Sequence, residues 1–306
     1  MASSNVHLHG IYPACVTPFT AEGALDVAAV RHNARRWLDT GIHGLLVLGS
    51  TGEFVVLEEN ERDQVIAAAR EVVPSDRVLS VGVGHLGTAQ TIRQTKRAAE
   101  LGADVALVVT PFFYKPAMTH AALVAHFTAV ADASPVPILV YNVPPFTGLN
   151  IETQTVAELS QHPNIIGMKD SAADAGQLAA EVALSRPGFA VFTGGARVLH
   201  SAMVIGCIGA NLAVANIAPE LCIAIYDAAL ANRHEDARRL QAELTAIETA
   251  IARPYGVAGY KVALDLRGYQ GGYARAPLLM PNAVARDRIA AAVQHLESVT
   301  AEALAH

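Results

Sequence analysis

The sequence predicts an α/β protein: a (β/α)8 barrel with a C-terminal helical extension. From residue 11 onward, short apolar runs alternate with longer amphipathic segments, which is typical of βαβ units around a parallel sheet. Eight such pairs fall within about 220 residues, the number that closes a barrel. The strand signal then ends, and the remaining chain is rich in Ala, Leu, Glu and Arg. A doubly wound sheet with fewer strands is the alternative.

Each strand is predicted from an apolar run bounded by turn residues, and each helix from apolar periodicity between two such runs. The strands are predicted at 11–17, 44–49, 78–83, 105–110, 137–141, 165–169, 190–193 and 207–212. The helices between them are predicted at 26–40, 58–73, 88–101, 119–133, 151–161, 174–185, 196–205 and 217–231. Further helices are predicted at 234–252, 257–267 and 283–304, with a loop over 267–277. We therefore predict an N-terminal tail over 1–10, the barrel over 11–232 and a helical domain over 233–306.

The composition indicates a large buried core and excludes several classes of partner. Of the 306 residues, 52% are hydrophobic and 16% charged, the opposite of a disordered chain. A net charge of −6 offers no basic surface, so nucleic acid is not expected as a partner. Three cysteines are too few for a disulfide framework and indicate a reducing compartment. With no signal-peptide pattern and no uninterrupted apolar span, we expect a cytoplasmic protein without a membrane partner.

A glycine pattern at residues 82–87 matches G-x-G-x-x-G after a predicted strand. A dinucleotide site also needs an acidic residue at the end of the following strand, and the pattern should open the fold. Here it follows the third strand, and the nearby acid, Asp104, precedes the next strand. We therefore do not interpret this pattern as a nucleotide site.

The main catalytic candidate is Lys169, at the carboxyl end of the predicted sixth strand. Parallel α/β sheets carry their chemistry at that edge. Burial disfavours an ammonium ion, so a lysine there can attack a carbonyl as a neutral amine and form a Schiff base. The alternative is a strand-end lysine that reaches water or pairs with Asp170.

Two further stretches place polar groups at the same edge. Residues 49–53, Gly-Ser-Thr-Gly-Glu, follow the second strand. Their backbone N–H groups could bind a small anion, and Ser50 and Thr51 could hold a carboxylate or relay a proton. Alternatively, these hydroxyls only cap the next helix. Tyr141 ends the strand before Lys169 and could transfer a proton, or be a rim aromatic with a satisfied hydroxyl.

Together, these residues resemble the dihydrodipicolinate synthase / N-acetylneuraminate lyase superfamily of Schiff-base aldolases. The matching stretches are 12–19 (Tyr-Pro-Ala-Cys-Val-Thr-Pro-Phe), 49–53, 109–112 (Val-Thr-Pro-Phe), 141–144 (Tyr-Asn-Val-Pro) and 167–169 (Gly-Met-Lys). They span nearly the whole chain, and the ordered set is specific although no single stretch is. Within the superfamily, residues 160–171 and 268–278 are similar to the 4-hydroxy-2-oxoglutarate aldolase branch.

The resemblance implies a barrel with a C-terminal helical domain, usually in homotetramers, and no metal or organic cofactor. It implies that Lys169 is the Schiff-base lysine and Tyr141 the central acid/base, with Ser50 and Thr51 holding the carboxylate of pyruvate or another 2-oxo acid and relaying protons. The catalytic candidates are thus Lys169, Tyr141 and Thr51. The substrate-binding candidates are Ser50, Thr51, Gly52, Phe113, Phe146, Ser171, Gly194 and Asn211.

Three positions depart from the family's pattern. Phe146 stands where the synthases have an arginine for the carboxylate of the semialdehyde substrate. Phe113 stands where they have a second tyrosine of the proton relay, and Tyr114 would replace it only if the loop turned differently. Asn211 stands where relatives tend to have an aliphatic residue, and it could contact substrate.

The sequence therefore predicts a class I, pyruvate-dependent aldolase. It would act on a 4-hydroxy-2-oxo acid such as 4-hydroxy-2-oxoglutarate and release pyruvate and an aldehyde. The alternatives are a 2-keto-3-deoxy sugar acid aldolase or dehydratase, a dihydrodipicolinate synthase, and a non-catalytic 2-oxo acid binding protein.

Overall fold

Eight parallel strands form one barrel in a computed structural model that describes residues 6–304. The strands are β1 Gly10–Pro13, β2 Gly44–Val47, β3 Val78–Gly82, β4 Val105–Val109, β5 Ile138–Asn142, β6 Ile165–Asp170, β7 Ala190–Thr193 and β8 Gly209–Leu212. Neighbours in the chain are neighbours in the sheet, and β1 pairs with β8. A bridge between Ala14 and Leu46 joins β1 to β2. The fold is therefore a TIM barrel, and the doubly wound alternative is wrong.

Helices follow the strands and cover the outside of the barrel. They are α1 Val27–Asp39, α2 Glu59–Arg70, α3 Thr88–Glu100, α4 His120–Ala133, α5 Pro144–Thr147, α6 Thr153–Leu159, α7 Ala175–Leu184, α8 Leu199–Ile205, α9 Pro219–Leu230, α10 His234–Leu266 and α11 Ala283–Leu304. The short α5 was not predicted. The first strand ends earlier than predicted because the Val16 amide donates to the Asn216 side chain (3.1 Å) instead of continuing a ladder.

The strands are buried on both faces, which explains why they read as apolar runs without alternation. All five residues of β4 and all five of β5 are buried. Register places Val109, Tyr141 and Lys169 side by side on β4, β5 and β6, on the inner face. Because all strands run in one direction, their carboxyl ends meet at one rim, and this rim carries the candidate site.

The C-terminal extension consists of α10 and α11. Gly256 is non-helical (φ 54°, ψ −140°), so α10 bends there, two residues after Pro254. The predicted separation between helices at 234–252 and 257–267 corresponds to this kink. Residues 267–277 connect to α11 without helix, as predicted.

Parts of the predicted N-terminal tail fall outside the description. Residues 1–5 are not described, whereas Gly10 already belongs to β1. Across residues 6–304, we find no helix that is long and apolar enough to cross a membrane.

Candidate active site

The site is built around Lys169 on β6 and Tyr141 on β5. The two residues are register partners on adjacent strands, and both are 4% exposed. The Lys169 Nζ lies 4.5 Å from the centre of the Tyr141 ring. A strand-end amine and a phenol thus share one water-poor corner, which is the geometry that proton transfer to a lysine adduct requires.

The loop after β2 brings Ser50 to the same corner. The Ser50 Oγ lies 3.4 Å from the Tyr141 hydroxyl oxygen, and either atom could donate. Thr51 follows in the same turn and is partly exposed. Two non-glycine residues of this loop, Leu48 (φ 58°) and Glu53 (φ 54°), adopt left-handed backbone conformations. Each costs on the order of 1 kcal/mol, so the surrounding structure must impose this loop shape.

Glu53 anchors the loop to the C-terminal extension. Its side chain is buried, and its Oε1 lies 2.5 Å from the Nζ of Lys261, which is buried on α10. Its Oε2 accepts a hydrogen bond from the Arg275 backbone N–H (2.9 Å). Burial lowers the pKa of Lys261, and the adjacent Glu53 carboxylate acts in the opposite direction. Both carboxylate oxygens therefore face groups of the extension.

Lys261 also reaches the loop after β1. Its Nζ donates to the carbonyl oxygens of Thr17 (2.7 Å) and Tyr273 (2.6 Å). The Thr17 hydroxyl in turn donates to the Gly52 carbonyl oxygen (2.7 Å). One ammonium thus links the first two rim loops to the segment after α10.

Gly194 and Ser171 lie beside the lysine. A Cβ on Gly194 would stand 1.9 Å from the Ser171 Oγ and 2.9 Å from the Lys169 Cε. No side chain fits there without displacing the lysine. These two candidates therefore lie beside the Lys169 side chain.

Asn211 lies on the inner face of β8. It pairs with Tyr12 of β1, is 2% exposed, and its Oδ1 has no hydrogen-bond partner among residues 6–304. A buried acceptor without a donor is costly. This favours the interpretation that Asn211 contacts a bound molecule.

The two phenylalanines of the rim are placed differently. Phe146, on α5, is 73% exposed and lines the cavity that opens at Ser50. Phe113 is 68% exposed and packs edge-on against Tyr114, with ring centres 5.1 Å apart. Neither Phe113 nor Tyr114 contributes to the cavity lining. The tyrosine that does line the cavity, Tyr255, belongs to α10 and not to this loop.

A cavity of about 660 Å³ connects the rim to the C-terminal extension. Its lining comprises Ser50, residues 53–56, Val109, Phe112, Val143, Phe146, Thr147, residues 255–258 and residues 277–279. No lysine, arginine or histidine of the described chain lines it, and its acidic member, Glu53, is paired with Lys261. The cavity is therefore mainly apolar.

Behind β6, Asp170 points away from the site into a buried polar cluster. Its carboxylate accepts hydrogen bonds from the side chains of Asn142 (2.6 Å) and Gln177 (3.0 Å). Glu181 on α7 is also fully buried, and burial, followed by the charge of Asp170, raises its pKa to about 8. Burial likewise raises the pKa of Asp170. Asp170 is therefore engaged outside the barrel, and the sequence alternative in which it pairs with Lys169 is not observed.

The G-x-G-x-x-G pattern serves packing. A Cβ on Gly82 would lie 2.0 Å from the Leu48 carbonyl oxygen, and one on Gly84 would lie 2.4 Å from a Val109 methyl carbon. The glycines let three strand ends approach each other closely.

Sequence reasoning missed Lys261, Arg275 and the cavity wall at residues 255–258 and 277–279. Glu53 ends the Gly-Ser-Thr-Gly-Glu stretch at residues 49–53, but the sequence indicates no role for it. Its only possible signal was an acidic residue inside an otherwise neutral loop, and such a signal does not identify a partner far along the chain.

The fold and the site define the class of protein. A strand-end lysine, a neighbouring tyrosine and a hydroxyl-bearing loop on a TIM barrel are the parts of a class I Schiff-base aldolase. The chain belongs to the dihydrodipicolinate synthetase family, whose model matches residues 7–296. It is accordingly a carbon–carbon lyase of the pyruvate-dependent, Schiff-base type.

Individual relatives agree with this assignment. The chain is 35% identical over 290 residues to a 4-hydroxy-tetrahydrodipicolinate synthase of Exiguobacterium, covering 95% of this chain and 98% of the relative. It superposes on a dihydrodipicolinate synthase of Bacillus anthracis with a TM-score of 0.90 at 27% identity, covering 94% and 98% of the two chains. It also superposes on an E. coli family member, YagE, solved in complex with pyruvate, with a TM-score of 0.89 at 27% identity, covering 95% and 99%. The similarity to the 4-hydroxy-2-oxoglutarate aldolase branch stays a prediction.

Proposed function

We propose that this protein cleaves or forms a 4-hydroxy-2-oxo acid, with pyruvate as the 2-oxo product or donor. The observation that carries the proposal is the contact between Lys169 and Tyr141 at the carboxyl rim, with Ser50 completing the corner. The backbone and hydroxyls of the Ser50–Thr51 turn would hold the 2-oxo carboxylate next to the amine.

In the cleavage direction, the neutral Lys169 amine attacks the C2 carbonyl carbon. The new C–N bond forms as the C=O π pair moves to oxygen, and the amine proton passes to that oxygen through the Tyr141 hydroxyl. The carbinolamine oxygen then takes up a second proton, through the Tyr141 hydroxyl, and leaves as water, while the nitrogen lone pair forms the C=N bond of an iminium ion. This cation is an electron sink for the next step.

A base, which we assign to the Tyr141–Ser50 pair, removes the 4-hydroxyl proton. The C3–C4 pair then moves to form the C2–C3 double bond of an enamine, and the aldehyde leaves. The enamine C3 takes up a proton, and water hydrolyses the iminium to pyruvate and free Lys169. One 4-hydroxy-2-oxo acid thus yields one aldehyde and one pyruvate, without change of oxidation state overall.

The lining argues against the alternative substrates. Aspartate semialdehyde carries a carboxylate, and Phe146 cannot pair with it. Sugar acids carry several hydroxyls that need partners, whereas the cavity walls are mainly apolar. Poor use of aspartate semialdehyde is therefore expected, and efficient turnover of that substrate would contradict the proposal.

We also propose a homotetramer that works without a metal or organic cofactor, as the family resemblance implies. The exposed Phe113–Tyr114 pair is the kind of surface that another subunit covers. Light scattering would measure the assembly, and unchanged activity after treatment with EDTA would support the absence of a metal.

Borohydride trapping with pyruvate tests the central step. Reduction should fix pyruvate on Lys169, as read by intact mass and peptide mapping. Folded protein that forms no adduct with pyruvate or other 2-oxo acids would exclude the aldolase and favour a binding protein. An adduct without turnover of any aldehyde would also favour the binding protein.

A further inference from the structure

The cavity reaches the reacting corner at Ser50, although Lys169 and Tyr141 do not themselves line it. Ser50 belongs both to the reacting corner, through its 3.4 Å approach to the Tyr141 hydroxyl, and to the cavity lining. With C2 bonded to Lys169 and the carboxylate on the turn of Ser50 and Thr51, C4 and its substituent extend away from the strand end. The adjoining open space is this cavity.

The cavity is much larger than a two-carbon aldehyde requires. Its volume of about 660 Å³ lies within the range of about 300–1,000 Å³ that encloses drug-sized ligands. Glyoxylate, the aldehyde that 4-hydroxy-2-oxoglutarate would release, would leave most of it unfilled. The size therefore favours a longer substituent.

The walls also select against charge. Phe146 and Leu279 are 73% and 86% exposed and face this space together with Val55 and Leu278. The described part of the chain provides no cationic side chain in the lining, so an aldehyde carboxylate would lose water without gaining a partner. An apolar group would instead cover side chains that are now exposed to water.

We infer that the preferred aldehyde carries a large, uncharged apolar group, aliphatic or aromatic, that occupies this cavity. The inference rests on the proposed aldolase function and specifies its substrate class. In the synthetic direction, the enamine pair at C3 of Lys169-bound pyruvate forms the new bond to the aldehyde carbon. The aldehyde oxygen takes up a proton, and water hydrolyses the iminium to release the 4-hydroxy-2-oxo acid.

The first test compares several aldehydes as substrates of the wild-type protein. Pyruvate is paired with acetaldehyde, butanal, hexanal, benzaldehyde and glyoxylate, and kcat/KM is measured for each. We expect kcat/KM to rise by up to about fourfold per buried methylene and to exceed the glyoxylate value at least about tenfold for hexanal or benzaldehyde. Equal or better use of glyoxylate would overturn the inference.

The second test reverses the chemistry of the wall. Phe146→Arg places a cation at the exposed rim position and should shift the hexanal-to-glyoxylate ratio of kcat/KM at least about tenfold toward glyoxylate. Val204→Arg makes a similar change at an exposed apolar position on α8 outside the cavity, and should leave the ratio unchanged. An equal shift in both variants, or none in Phe146→Arg, would overturn the assignment of the cavity.

The tests separate this inference from the function on which it rests. Borohydride trapping of pyruvate is run on the same preparation. An adduct with no preference for apolar aldehydes overturns the inference alone, whereas no adduct removes the aldolase proposal as well. If a second copy of the chain fills the cavity, rates should fall as the aldehyde grows, and this result would also overturn the inference.

Discussion

At the scale of single residues, the site depends on what surrounds one amine. Lys169 is 4% exposed, with the Tyr141 ring on one side and the backbone of Gly194 on another. Water is largely excluded, so the phenol and the serine hydroxyl are the groups placed to move protons. Removal of any one of them should affect chemistry more than folding.

Replacement of Lys169, the proposed nucleophile, should abolish turnover. Lys169→Arg keeps the positive charge but removes the amine that forms the Schiff base, so kcat should fall at least about 1,000-fold. Steady-state kinetics and borohydride trapping measure this. Lys96→Arg, on the exposed face of α3, is the matched control and should behave as wild type. Normal trapping in Lys169→Arg would assign the adduct to another lysine.

Gly194 should tolerate no side chain. In Gly194→Ala the new methyl group would lie 1.9 Å from the Ser171 Oγ and 2.9 Å from the Lys169 Cε, so the lysine must shift. Because small displacements of reacting groups are costly, we expect kcat/KM to fall by at least about tenfold. In Gly176→Ala on α7, the nearest atom is the flexible Asp174 carboxylate at 3.2 Å. This control should retain activity, and equal effects in both variants would contradict the steric explanation.

At the scale of elements, the loop after β2 is held from the C-terminal extension. Glu53 is kept in its strained left-handed conformation by the contacts of its carboxylate with Lys261 and the Arg275 amide. Since α10 supplies the ammonium, the extension contributes to positioning Ser50 in addition to covering the barrel. Lys261 acts through the loop and is therefore a positioning residue.

Breaking this buried pair should cost both stability and catalysis. Lys261→Met leaves Glu53 buried without its cation, so the free energy of unfolding should fall by about 3 kcal/mol. The loosened loop should also lower kcat/KM for pyruvate about tenfold. Denaturant unfolding and steady-state kinetics give the two values. The double variant Lys261→Met/Glu53→Gln removes the unpaired charge and should recover part of the stability. If kcat/KM is unchanged in the destabilised single variant, the pair has only a structural role.

At the scale of the whole molecule, a closed barrel carries an apolar cavity between its rim and its extension. Closure by the Ala14–Leu46 bridge brings all eight strand ends to one rim. Outside the barrel, β6 is held by the Asp170 and Glu181 cluster, which couples the molecule's stability to pH.

Glu181 should make the protein less stable as pH rises. Its pKa is raised from 4.5 to about 8, so the folded state holds a proton that the unfolded state releases between these values. The stabilisation is fully present below about pH 4.5 and is lost as pH rises through about 8. The side chain in Glu181→Gln stays neutral at every pH. The Tm of the variant minus the Tm of the wild type should therefore increase by at least about 2 °C from about pH 5 to about pH 9. Thermal unfolding across this range measures the difference. Glu297→Gln, an exposed substitution on α11, should show no such trend.

The sequence by itself determined the order of strands and helices and the family. Each strand is buried on both faces and each helix on one, so local apolar patterns identify them without knowledge of their neighbours. The rim position of Lys169 and Tyr141 also followed, because both residues end predicted parallel strands. The residue type at position 146 also showed that this chain lacks the arginine that the synthases have there.

Only the tertiary structure decided which distant segments complete the site. The partner of Glu53 on α10, the cavity wall after the Gly256 kink, and the separation of Phe113 from that wall all depend on how the extension packs against the barrel. These contacts join residues far apart in the chain. They depend on how whole helices and strands pack against each other, and a local sequence pattern contains no information about that packing.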